Sequence, residues 1–180
     1  MKNWAILFVR TGREERLIRA LGQELNACEW LPFLPTKEAT HRNKGVFRTE
    51  RRLLFPGYVF IQTETDANRI ASRLRSCLLD TVSRESIYSI LHYGDNKSDV
   101  AVRDHERAYW ERLFDADFCV TGSVGFIEGD VTRIISGPLV GMEGRIKWIN
   151  RRKREAVVEM DVMGSVREVR VMLEVVEKLT

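Results

Sequence analysis

Residues 53–61, Leu-Leu-Phe-Pro-Gly-Tyr-Val-Phe-Ile, constrain this chain more than any other stretch. The run is short, almost wholly apolar, and rich in aromatic and β-branched residues, which marks a buried strand rather than a helix. Pro56 and Gly57 fit poorly inside a strand, so regular pairing is expected to begin at about Tyr58, after a kink or bulge. From Tyr58 to Ile61 both faces are apolar, and such a strand needs cover on two sides. Helices of the same domain can supply one side. The other must meet its own chain or a partner, and the partner is the expectation adopted here.

The rest of the chain must be small enough to serve that strand. Its 180 residues allow one domain or two small ones. A charged fraction of 31% and an apolar fraction of 44% describe an ordinary globular protein. The formal net charge is only +3, so any nucleic-acid argument must rest on where cations cluster. Cys28, Cys77 and Cys119 are odd in number and widely spaced, against both a disulfide framework and a zinc site. Met-Lys-Asn leads straight into a mixed segment without a signal peptide, and no apolar run approaches a membrane span. A cytoplasmic monomer with no membrane contact is expected.

Residues 4–9, Trp-Ala-Ile-Leu-Phe-Val, read as a second strand apolar on both faces. Thr11-Gly-Arg-Glu14 fits a capping box, and Leu17, Ile18, Leu21 and Leu25 continue it at helical spacing, predicting a helix over 13–25. Pro32 and Pro35 place the short strand 30–34 at an edge. Residues 36–52 are polar and basic, with a turn at Asn43-Lys-Gly45, and predict a projecting hairpin or loop. A short helix is expected over 66–75, a strand over 78–82, and a helix over 104–114 capped by Asp104. This order gives an α+β sandwich with an antiparallel sheet.

Composition changes near residues 115–125. Beyond that point strands and turns alternate without a helical period. Residues 128–135 read as a strand entered through Gly129-Asp130, and Ser136-Gly-Pro138 as a turn. Ile146 and Trp148 alternate with Arg145 and Lys147; Ala156, Val158, Met160 and Val162 alternate with polar neighbours; Val169, Val171 and Leu173 do the same. Short strands with tight turns in so few residues predict a small, strongly bent SH3-like β-barrel. The expected division is a domain over 1–115, a linker over 116–123 and the barrel over 124–180.

Several motifs together resemble the NusG family, whose members join an N-terminal domain of NGN type to a KOW barrel. They are Trp4 in the first strand, Thr11-Gly-Arg-Glu14, Phe55-Pro-Gly-Tyr-Val59, Gly129-Asp-Val131, Ser136-Gly-Pro-Leu139 and Gly141-Met-Glu-Gly144. Residues 149–156 and the ending Leu173-Glu-Val-Val are most similar to the LoaP branch. Ala5 departs from the Tyr usual after the Trp. The resemblance implies a transcription elongation and antitermination factor. Phe55 and Tyr58, with Trp4, would line an apolar seat for the RNA polymerase clamp helices, in helix-in-groove fashion. Arg42, Lys44 and Arg48 would lie beside the non-template DNA strand or the opposite side of the polymerase cleft, with Phe47 the nearby stacking aromatic.

The LoaP likeness further implies that the KOW domain holds an RNA leader hairpin. Arg151-Arg-Lys-Arg154 puts four cations on one turn, and Arg145 and Lys147 stand on the adjoining strand. Such a patch suits phosphates, and guanidinium groups stack on unpaired bases. The alternative remains an adaptor whose KOW barrel binds a ribosomal protein or a termination factor. Taken alone, the aromatics could be core residues and the charge runs solvated faces. His41, His92 and His105 are scattered, and no nucleophile elbow, phosphate loop or dinucleotide motif is present. No enzyme activity, metal or cofactor is expected.

Overall fold

The computed structural model describes residues 2–25, 29–43, 46–79, 84–129 and 131–176. Along the chain these form β1 (Asn3–Val9), α1 (Glu14–Glu24), β2 (Trp30–Phe33), β3 (Thr36–Asn43), β4 (Val46–Leu53), β5 (Tyr58–Thr63), α2 (Ala67–Leu79), β6 (Ile87–Ile90) and α3 (Asp104–Leu113). Then follow β7 (Cys119–Val120), β8 (Ser123–Glu128), β9 (Val131–Ser136), β10 (Ile146–Asn150), β11 (Glu155–Val162) and β12 (Ser165–Val175). The fold is α+β. The chain divides into two units: Met1–Leu34 with Phe55–Ala108, and Pro35–Leu54 with Tyr109–Thr180.

In the first unit an antiparallel sheet runs β2-β5-β1-β6, so the apolar strand β5 sits beside β1 at its centre. Alternation sorts the side chains. Ala5, Leu7, Val9, Val59 and Ile61 face a buried cluster with Leu17 and Leu21 of α1 and Ile70, Leu74 and Leu78 of α2. Here α2 departs from expectation. It runs on through Leu78 and Leu79, where a strand over 78–82 was predicted; residues 80–82 lie outside the described residues. Leu78 follows Leu74 by one turn and is buried, and burying a leucine stabilises by about 2 kcal/mol. Continuing the stripe therefore outweighs ending the helix early.

The opposite face of that sheet does not wait wholly for a partner. Trp4 and Phe60 are buried, and Trp4, Phe33 and Phe60 pack edge-on or tilted at centroid distances of 5.4–6.4 Å. Half of the second apolar face is thus closed by the unit's own rings.

The Thr11–Glu14 turn also differs from a capping box. The helix begins at Glu14, and the preceding Arg13 makes no side-chain cap. Instead the buried Glu14 carboxylate accepts hydrogen bonds from Gly12 N (2.7 Å) and Gly57 N (2.8 Å). It ties the start of α1 to the Pro-Gly turn before β5. Gly57 is needed there: its φ is +85°, and an added Cβ would press on Thr11 Oγ1 at 3.2 Å and Val9 O at 3.3 Å. Glu14→Ala leaves the buried Gly57 N–H and the part-buried Gly12 N–H without their acceptor. It is expected to cost about 2–3 kcal/mol in urea unfolding; an unchanged midpoint contradicts the tie.

In the second unit β3 and β4 form the basic hairpin, and β7 pairs in parallel with β3. The remaining strands make a curled sheet, β10-β11-β12-β8-β9, antiparallel except where β12 meets β8. This matches the small bent β-architecture expected. Its start differs from expectation. β8 precedes Gly129, so Gly129 lies at a turn between β8 and β9 rather than at the entry of a first strand; Asp130 lies outside the described residues. Ala156, Val158, Met160 and Val162 of β11 and Val169, Val171 and Leu173 of β12 are buried, as their alternation requires.

The hairpin does not project freely within its unit. Glu38 Oε2 accepts from Gly122 N at 2.6 Å, Lys37 Nζ donates to Arg170 O at 2.5 Å, and Thr40 Oγ1 donates to Lys153 O at 3.3 Å. Burial lowers the Lys37 pKa, so its ammonium is held there against a desolvation cost. No helix among the described residues is long and apolar enough to cross a membrane.

Candidate functional site

Two surfaces of opposite character stand out, one in each unit. The first is aromatic. The β1–β5 register sets Phe8 opposite Tyr58, on the same face as Trp4 and Phe60. Rings then follow one another across the sheet: Phe55 to Tyr58 (6.2 Å between centroids), Tyr58 to Phe8 (5.4 Å) and Phe8 to Tyr88 (5.2 Å). Exposure rises along this row, from 8% at Phe55 through a half-buried Tyr58 to 37% at Phe8 and 62% at Tyr88. Of the three aromatics singled out in the sequence, Trp4 and Phe55 are therefore buried, while Tyr58 reaches the surface. Phe8 and Tyr88 were not singled out. Their place depends on strand register, which composition does not carry.

The second surface is cationic. Residues 151–154 form the turn between β10 and β11. Arg151, Arg152 and Lys153 are exposed, and among the described residues their side chains form no ion pair. Asn150 Oδ1 accepts from Lys153 N, and Arg154 closes the turn with a left-handed backbone, φ 52°. Its guanidinium pairs with Glu174 at 3.1 Å and lies 4.3 Å from the centroid of Phe47, on the hairpin. The two basic segments that lie far apart in sequence are neighbours here. Phe47, Arg151, Arg152, Arg154, Glu174 and Val175 line a cleft of about 450 Å³ between them.

Arg48 is exposed on β4 opposite His41. Arg42 lies opposite Phe47 in the register, but its side chain, like the whole of Lys44, lies outside the described residues. Arg145 and Lys147 belong to a different environment. Arg145 bonds Asp161 at 2.7 Å and lies over the Tyr109 ring, and Lys147 bonds Glu159 at 2.9 Å. Those carboxylates raise both cations' pKa values. The burial that pushes the Tyr109 phenol up to about 12 keeps it neutral beneath Arg145. The pairs cancel charge locally, whereas the side chains of Arg151, Arg152 and Lys153 stand together on one turn without an ion pair among the described residues. Among the described residues no group of three His, Cys, Asp or Glu side chains could hold a metal ion.

A family model described as transcription termination factor nusG matches residues 2–109. Three relatives carry the name transcription termination/antitermination protein NusG. The one from Pseudomonas aeruginosa is 24% identical over 190 residues, covering 99% of each chain. That from Vibrio cholerae is 25% identical over 186 residues, covering 99% of this chain and 96% of its own. That from Xylella fastidiosa is 23% identical over 170 residues, covering 91% and 92%. The chain belongs to the NusG family.

Proposed function

We propose that this chain is a transcription elongation and antitermination factor of the LoaP kind. Its N-terminal part, residues 1–115, docks on RNA polymerase. A linker over 116–123 leads to a KOW barrel over 124–180 that holds a nascent RNA hairpin. On this reading the chain works in the cytoplasm beside the polymerase and is not an enzyme. The observation that supports the RNA reading is the meeting of turn and hairpin at Arg154 and Phe47. Free cations beside an aromatic ring suit a phosphate backbone and an unpaired base together. Arg151, Arg152, Lys153 and Arg154 supply the phosphate contacts; Arg145, just before β10, and Lys147, on it, are already paired with Asp161 and Glu159 and add little. Arg48, exposed on β4, extends the surface toward the RNA loop or toward non-template DNA; the family resemblance implies the same part for Arg42 and Lys44. Once the first unit is on the polymerase, RNA capture is effectively intramolecular, so modest affinity suffices.

On the polymerase side, Tyr58 is the contacting ring, and Phe55 and Trp4 support it from beneath. Tyr58→Ala is expected to weaken binding to purified core polymerase about tenfold with the melting temperature nearly unchanged. Loss of the cooperative melt instead makes Tyr58 a core residue and removes it from the interface. A second reading, a protein adaptor, is favoured by Trp148, Val131 and Ile135, which are exposed on the C-terminal sheet. A ribosomal protein or termination factor would then occupy the barrel, and hairpin RNA would leave the full chain unshifted in a gel.

A further inference from the structure

We infer that a cleft beside α2 and β6 is a binding site for a small carboxylate with an alkyl body. Leu78, Ile87 and Ile90 give the cleft its apolar lining, and Arg75, His92 and Lys97 its basic lining. Its volume of about 420 Å³ falls among those of small-molecule sites. The apolar part exists because of an irregularity in pairing. Ile87 and Ile90 are three residues apart, which in a regular strand puts them on opposite faces. The β1–β6 ladder pairs Val9 with Ile87, Phe8 with Ser89 and Leu7 with Ile90, so Tyr88 is an extra residue in a bulge. Both isoleucines thereby join Leu7 and Val9 on the helix-covered face. They pack against the buried cluster that contains Leu78, yet stay only partly buried themselves.

The basic part is held in place. Arg75 stands one turn before Leu78 on α2, and its Nη2 donates to Lys97 O at 2.5 Å, leaving further guanidinium N–H groups for a ligand. His92 Nδ1 donates to Gly94 O at 2.9 Å, so Nε2 is its other polar atom. The loop carrying Lys97 is closed by Tyr93 N donating to Asp99 O at 3.0 Å and Ser98 N donating to Asn96 Oδ1 at 3.0 Å. Arg75 and Lys97 are exposed, and neither forms an ion pair among the described residues. Asp99, two residues beyond Lys97, is taken by Arg103 at 2.6 Å. These features select the occupant. A bare inorganic anion leaves the aliphatic lining in water, and a neutral hydrocarbon leaves the cations unanswered. Single-stranded nucleic acid needs rings to stack on, and this lining has none. A carboxylate matches the guanidinium fork, while an alkyl body covers Leu78, Ile87 and Ile90. The isoleucines face away from the Phe8–Tyr58 aromatic row, so this site is independent of the polymerase reading.

Titration of the full chain with octanoate, followed by amide NMR, tests this. The signals of Arg75, Leu78, Ile87, Ile90, His92 and Lys97 should move together and saturate as one site. 1-Octanol, with the same body and no charge, should bind about tenfold more weakly. Lys97→Ala should weaken octanoate about tenfold with an unchanged melt. The Arg75 hydrogen bond uses the Lys97 main-chain carbonyl and survives that substitution, so the loss reads the ammonium alone. Arg75→Ala should weaken octanoate to a similar extent. Octanoate that moves no signals, or only those of the aromatic row or the C-terminal sheet, overturns the inference. So does octanol binding as tightly as octanoate with Lys97→Ala and Arg75→Ala both unaffected, which makes the cleft an apolar crevice without charge selection.

Discussion

Alanine at both Arg151 and Arg152 is expected to lower the affinity of the full chain for hairpin RNA about fifty-fold near 0.1 M salt. The same change should make log K against log salt shallower by about 1.5, since each phosphate contact contributes about 0.7–0.9 to that slope. Neither guanidinium group forms an ion pair among the described residues, and both line the cleft with Phe47. The control lies at the other end of β10, just before its first residue. Arg145 is already bonded to Asp161, so removing both by alanine substitution deletes a neutral pair. Binding should then stay within about twofold, because surface pairs of this sort carry little net free energy. A slope unchanged by the Arg151 and Arg152 substitutions places the RNA elsewhere.

Gly137→Ala should cost the second unit about 3 kcal/mol. Gly137 turns the chain after β9 with φ +92°, in the left-handed region that a side chain strains, for about 1 kcal/mol. Its added Cβ would also lie 2.6 Å from Gly122 O, Ser123 Cα and Ser123 Oγ. Most of those atoms are backbone, so the chain around β8 must move, for about 2 kcal/mol more. Ser123 is fully buried, and its hydroxyl accepts from Leu139 N, so the shift has nowhere to relax. Gly141 separates the two costs: its φ is +75°, yet nothing lies within 4 Å of its Cβ position. Gly141→Ala should therefore lose only about 1 kcal/mol in urea unfolding. Equal losses at the two positions remove the close approach as a cause.

Much of this architecture was legible because local pattern carries it. Tyr58 opens β5 after Pro-Gly, Leu17 and Leu21 share a helical face, and β11 and β12 alternate cleanly. The end of α2 differs from expectation because Leu78 and Leu79 fit a strand or a helix equally in sequence, and only the shared buried cluster of Leu74 and Leu78 decides for the helix. Glu14 fitted a cap in sequence, but its second partner, Gly57 N, lies 43 residues away. The candidate surfaces were half legible. Charge runs and the aromatic motif stand in the sequence. Phe8 and Tyr88 needed the register, and the approach of Phe47 to Arg154 needed the packing of one hairpin along one sheet.

One measurement bears most directly on the whole: purification of the tagged full chain from ultraviolet-irradiated, actively transcribing cells, with proteins identified and attached RNA sequenced. The account predicts core polymerase subunits together with RNA reads concentrated on stable hairpins near transcript starts, the reads disappearing when Arg151 and Arg152 are replaced while polymerase remains. Recovery of neither polymerase nor RNA above an untagged control contradicts it.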